Sequence, residues 1–185
     1  FMFREVCRQQ REWIDQGRRA VPVSVNLSRY NIFYSSFINK YQDILREYEI
    51  SPKLVPLEIT ESVMSEDEVL LRNIIDELHS IGFSVLMDDF GTGYSSMTML
   101  GSMPIDVLKL DKSFVDDIGD SKGEKIIRSI IDLSRGLGIR LTAEGVETEE
   151  QYEFLRKMKC DEIQGYYFAK PMPGSDFQAL LNTEK

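Results

Sequence analysis

Phe83-Ser-Val-Leu-Met-Asp88-Asp89-Phe-Gly91-Thr-Gly93-Tyr-Ser-Ser96 is the stretch on which the reading of this chain turns. Val85 to Met87 is a short apolar run of the kind that forms a buried strand, and two adjacent carboxylates follow it, then a loop hinged by two glycines. Side chains alternate along a strand, so Asp88 and Asp89 are expected to fan apart at its end, where they could hold two neighbouring cations. An isolated Asp-Asp more often marks a strand-ending turn. Here five other apolar runs end in the same way, at Asn26, Glu58, Lys109, Glu144 and Gln164.

Working outward, those runs alternate with amphipathic segments. Strands are predicted over Val21–Leu27, Leu54–Glu61, Ser84–Asp89, Ile105–Asp111, Ile139–Gly145 and Glu162–Phe168, with Pro56 making the second irregular or near an edge. Helices are predicted over about residues 1–16, from Ser36 to about Tyr48, from the capping box Ser65-Glu-Asp-Glu68 to Ile81, over Glu124–Leu137, from Thr148-Glu-Glu-Gln151, and briefly from Ser175. Alternation of this kind argues parallel strands and an α/β fold. An open doubly wound sheet gathers only the strands beside its switch point, whereas a barrel brings every C-terminal strand end to one face. Six consecutive strands that each end in a chemically useful residue favour a TIM-like (β/α)8 barrel, here incomplete with about six strands present.

Composition narrows the chemistry. The chain has 185 residues, enough for one domain, and residues 1–185 show no linker or low-complexity break. A net charge of −9 without a basic stretch argues against duplex nucleic acid as a partner. No apolar run approaches a membrane span, so no membrane contact is expected from this segment. Cys7 and Cys160 lack metal-type spacing and read as reduced thiols of a cytoplasmic protein, while His79 reads as part of a solvated helix face. A metal site here would therefore be built from oxygen, which points to Mg²⁺, Mn²⁺ or Ca²⁺.

Asn26, Glu58, Asp88, Asp89 and Glu144 form an oxygen-rich set with four carboxylates. Such anions repel unless cations are bound, and two ions with Asp88 bridging them would suit displacement at phosphorus. Lys109 adds a fixed positive charge to orient a water or to steady charge developing on phosphate. Glu144 suits either a second metal or general-base duty, and Gln164 with the backbone at Gly165 is placed to touch substrate.

Val25-Asn-Leu-Ser28, Leu57-Glu-Ile-Thr-Glu61, Asp88-Asp-Phe-Gly-Thr-Gly-Tyr-Ser-Ser96, Leu108-Lys-Leu-Asp111, Ala143-Glu-Gly-Val-Glu147 and Gln164-Gly-Tyr166 follow one another in the order and spacing of EAL domains, and from about Phe1 to Pro173 the chain resembles that family of bacterial cyclic-di-GMP phosphodiesterases. The resemblance implies a modified TIM barrel, two Mg²⁺ or Mn²⁺ ions, and hydrolysis of cyclic-di-GMP to linear pGpG. It implies metal-ligand roles for Asn26, Glu58, Asp88 and Asp89, a catalytic role for Lys109, a ligand or base role for Glu144, and a supporting role for Gln164. Glu147 would be a further acidic residue of the site. Glu61 would anchor the loop Phe90–Ser96 by accepting hydrogen bonds from groups such as Thr92, Gly93 or Tyr94. A homodimer formed through the region after Asp89, and an upstream sensory or GGDEF domain, fit the same resemblance.

The sequence departs from the family in one respect: the Glu-Ala-Leu tripeptide is absent. Its glutamate is a metal ligand in the family, and a nearby arginine contacts substrate. The chain is therefore expected to be a single EAL-type domain truncated at its N-terminal side, inactive as it stands, with a free edge on its first strand. Two functions follow for the parent protein: an active phosphodiesterase, or a catalytically inactive module that binds cyclic-di-GMP or a protein partner. Every downstream ligand position is filled, which favours the enzyme.

Overall fold

The computed structural model describes residues 1–34, 36–64, 67–91 and 97–183. In chain order the elements are α1 (Met2–Asp15), β1 (Val25–Asn26), α2 (Arg29–Tyr34), α3 (Phe37–Tyr48), a 3₁₀ turn (Pro52–Leu54), β2 (Leu57–Thr60), α4 (Glu61–Met64), α5 (Glu68–Ile81), β3 (Val85–Phe90), α6 (Met97–Ser102), β4 (Val107–Leu110), α7 (Lys112–Asp116), α8 (Ser121–Leu137), β5 (Arg140–Ala143), α9 (Glu149–Lys157), β6 (Glu162–Ile163) and α10 (Gly174–Thr183). The six strands form one parallel sheet in sequence order, β1 to β6, the arrangement of an α/β barrel left open. Among the described residues β1 and β6 are the outer strands.

The apolar runs make strands because both faces are covered. All of β4, Val107 to Leu110, is buried, and Leu57, Ile59, Met87, Leu108, Leu110 and Leu141 are fully enclosed. The helices supply the opposing layer with Leu71, Ile75, Leu78, Ile127 and Leu155. Truncating one such side chain to alanine costs about 2–5 kcal/mol, because the cavity does not fully collapse.

Every strand but β3 is shorter than its apolar run suggests, β1 and β6 most of all. Val21–Leu27 contributes only Val25–Asn26 as strand, although the ladder toward β2 extends further, with the amides of Val23, Val25 and Leu27 donating to the carbonyls of Leu54, Pro56 and Glu58. Glu162–Phe168 contributes only Glu162–Ile163; from Gly165 the chain turns, closed by Phe168 N–H to Gly165 O. The run Leu54–Glu61 is also divided, its last residue opening α4.

Caps fall close to the expected places. Thr148 and Gln151 form the reciprocal box at the start of α9. α5 is capped by Asp67, which accepts from Leu70 N–H; Ser65 and Glu66 lie outside the described residues. α8 starts earlier than Glu124, at Ser121, because Asp120 accepts from the amides of Lys122 and Gly123. His79 differs from the solvated reading: its Nε2 lies 3.0 Å from Asp106 Oδ2. No helix among the described residues is long and apolar enough to cross a membrane. A cleft of about 1070 Å³ runs between α1, the approach to β1, and β6, with Trp13, Ser24, Gln164, Tyr166 and Phe168 on its walls.

Candidate active site

The strand register places the candidate residues at one end of the sheet. Asn26 closes β1 directly beside Glu58 of β2, Asp88 of β3 pairs with Thr60, and Lys109 of β4 pairs with Thr142 of β5. Glu144 follows β5 at once, its amide donating to Leu110 O at 3.1 Å. Lys109 stands at the centre. Its Nζ lies 3.0 Å from Glu58 Oε1, 2.9 Å from Asp88 Oδ1 and 2.9 Å from Glu144 Oε1. Three carboxylates thus lie within ion-pair distance of one ammonium, that of Asp88 accepting a hydrogen bond from it.

Both Lys109 and Glu58 are buried, so these charges interact through little water. Burial draws the Lys109 ammonium toward deprotonation, but hydrogen bonds to Glu144 and Asp88 and the charge of Glu58 outweigh it and hold the group well above its ordinary pKa. Burial raises the Glu144 carboxyl, with Lys109 opposing and the charges of Asp88 and Glu58 adding to the rise. Glu58 is steadied from β1's approach by Ser24 Oγ, which donates to Oε1 at 2.6 Å.

Asp89 reaches the rim by a different route from simple alternation. The register between β3 and β4 shifts between Met87 and Phe90, and Asp89 has φ +57°. That bulge with a left-handed aspartate re-aims the side chain, at a backbone cost of order 1 kcal/mol. Partial desolvation and the charges of Asp88 and Asp111 raise the Asp89 carboxyl.

Glu61 is buried at the first residue of α4, and its Oε2 accepts from Gly91 N–H at 2.8 Å. Gly91 has φ +99°, and a Cβ there would fall 2.1 Å from the Phe114 ring, so only glycine fits this corner. Thr92, Gly93 and Tyr94 lie outside the described residues. The structure thus brings Glu58, Asp88, Glu144 and Lys109 together and sets Asn26 and Asp89 beside them. It does not bring in Glu147, which pairs with Lys112 at 2.9 Å, or Gln164, which faces the cleft. Gly165 packs its Cα against the Val146 carbonyl. Ser24 and Lys112 were not singled out by the sequence, although Ser24 shares a strand face with Asn26 and Lys112 opens α7 three residues after Lys109.

The donor set suits a hard cation, being all oxygen and carrying three carboxylates against one ammonium. Among the described residues no three acidic, histidine or cysteine side chains are already gathered about a single metal-sized point; the ammonium is what draws these carboxylates together.

Comparison with known proteins agrees with this layout. The family model described as EAL domain matches residues 1–171. The chain is 36% identical over 178 residues to the bifunctional diguanylate cyclase/cyclic di-GMP phosphodiesterase MucR of Pseudomonas aeruginosa, covering 96% of this chain and 26% of MucR. The EAL domain of Mycobacterium smegmatis DcpA superimposes with a TM-score of 0.92 at 36% identity, covering 98% of this chain and 82% of that one. Klebsiella pneumoniae BlrP1, solved as a manganese/cy-diGMP complex, aligns at a TM-score of 0.79 and 25% identity, covering 91% of this chain and 45% of that one. The chain spans about a quarter of the length of the curated relatives it matches.

Proposed function

The chain belongs to the EAL domain family, and on that premise we propose that it supplies the catalytic site of a phosphodiesterase that hydrolyses cyclic-di-GMP to linear pGpG. The observation that carries the reading is the buried Lys109 ammonium held by Glu58, Asp88 and Glu144 at the C-terminal ends of parallel strands.

Asn26, Glu58, Asp88, Asp89 and Glu144 would hold two Mg²⁺ or Mn²⁺ ions. When bound, such ions make water more acidic and neutralise charge on a phosphoryl group. Lys109 is fixed by its carboxylates, so its positive charge needs no reorganisation as negative charge develops on the phosphate oxygens. Glu144, with its carboxyl raised by burial, is suited to accept the proton of the attacking water. The water oxygen then bonds to phosphorus as one ester bond of the ring opens, and the departing sugar oxygen takes up the proton that Glu144 accepted. Gln164 and Gly165 would contact the nucleotide from the cleft side. The protein would work in the cytoplasm as a homodimer.

Incubation of the full-length protein with cyclic-di-GMP and Mn²⁺ tests this directly, with the product identified by mass spectrometry. Linear pGpG is expected. Tight binding of the dinucleotide without turnover would instead establish an inactive binding module.

A further inference from the structure

Lys109 and Glu144 are one of two lysine–glutamate pairs that join β4 and the helix after it to the chain after β5. Three residues further along each segment, Lys112 Nζ lies 2.9 Å from Glu147 Oε1. In the inner pair Lys109 is buried and Glu144 partly buried, with side chains 8% and 19% exposed, and the outer pair is half exposed, at 44% and 46%. Lys112 also lies 3.2 Å from Asp116, one turn along α7.

The outer pair is joined to the inner one by close backbone packing. Gly145 has φ +71°, and a Cβ on it would fall 2.4 Å from Lys112 Cγ, so the lysine stem lies against the backbone that carries Glu144. On the other side a Cβ on Gly165 would fall 2.0 Å from the Val146 carbonyl oxygen. Gln151 ties down the loop's end: its Oε1 accepts from Glu147 N–H at 2.8 Å and its Nε2 donates to Val115 O of α7 at 3.3 Å. Residues 144–147 are therefore gripped by α7 on one side and by the turn after β6 on the other.

We infer that Lys112 is a positioning residue, which sets the loop of residues 144–147 so that Glu144 meets Lys109, and that Glu147 acts through Lys112 rather than on the substrate. A half-exposed ion pair contributes little stability by itself. Its lever is short, because the pinned lysine stem sits one residue from Glu144, and a small displacement of a reacting group is costly in rate.

The kinetic arm of the test rests on the phosphodiesterase reading; the structural arm does not. In the full-length protein, Lys112→Met keeps the stem on Gly145 and removes the charge. It should lower kcat about tenfold with KM unchanged, and Lys112→Arg should restore the rate. Glu147→Gln should give the same loss, and the double variant no more than either alone. Losses that multiply would show Glu147 acting independently, and an unchanged kcat in Lys112→Met would show the clamp to be idle; either result overturns the inference. Hydrogen exchange gives a readout without turnover: amides of residues 144–147 should exchange faster in Lys112→Met, and unchanged protection overturns the inference. Faster exchange in a protein that never hydrolyses cyclic-di-GMP would refute the phosphodiesterase reading and leave the clamp standing.

Discussion

Acidic side chains sit at both ends of the parallel sheet, and the two ends use them differently. Where the strands begin, Asp106 accepts from Val85 N–H at 2.7 Å while facing His79, and Asp161 accepts from Leu141 N–H at 2.9 Å. Each occupies a backbone donor of the neighbouring strand, which would otherwise lack a partner. Where the strands end, three carboxylates share one ammonium and leave negative charge over. A matched carboxylate builds the fold. A surplus of carboxylates in a poorly hydrated site opposes folding, and its persistence points to a ligand of opposite charge.

The largest effect expected from this contrast is at Asp88. Asp88→Asn keeps the volume and removes a charge proposed to serve both ions, so activity should fall by at least about 10³-fold. A rate within threefold of the parent would erase the distinction between the two ends. Lys109→Met should cost less, about 10²-fold, since it removes one electrostatic contact and leaves the ligands. It also leaves Glu58, Asp88 and Glu144, one buried and two partly buried, without their counter-ion, so Mn²⁺ should raise the melting temperature of Lys109→Met by more than that of the parent. Calorimetry showing equal shifts would mean that the ammonium does not compete with metal for those oxygens.

Glu61 tests the border between the two roles. Glu61→Gln weakens the acceptor for Gly91 N–H and should lower activity about tenfold through the loop, without unfolding the domain. An unchanged rate would assign Glu61 to the scaffold. At the opposite end, Asp106→Ala should leave turnover intact and reduce stability by about 1–3 kcal/mol in denaturant unfolding, the cost of stranding the Val85 amide. Smallest of all should be the effect of thiol reagents at pH 8. Burial pushes both Cys7 and Cys160 up to about 11, so little thiolate is present and labelling should be slow.

Much of this was legible in the chain because strand ends are written as a change of residue type. Apolar runs closing in Asn26, Glu58, Asp88, Lys109 and Glu144 give both the parallel order and the face on which the side chains meet. Strand lengths were harder to read, since apolar character does not reveal where a ladder stops. Pro22 has no amide to donate, and the chain turns at Gly165, where close approach to the Val146 carbonyl beyond β5 leaves no room for a side chain. The bulge at Asp89 escapes an alternation argument, because it comes from the register against β4. Ser24, Lys112 and the His79–Asp106 contact depend on which elements become neighbours, and no local pattern encodes that.

The central claim is that the surplus charge around Lys109 serves divalent cations in phosphodiester hydrolysis. The most direct measurement is the steady-state rate of cyclic-di-GMP hydrolysis by the full-length protein after exhaustive chelation and after return of single cations. The account predicts loss of turnover on chelation, recovery with Mg²⁺ or Mn²⁺, and poor recovery with Ca²⁺, whose larger and looser coordination suits in-line displacement badly. Undiminished hydrolysis in the chelated protein would contradict it.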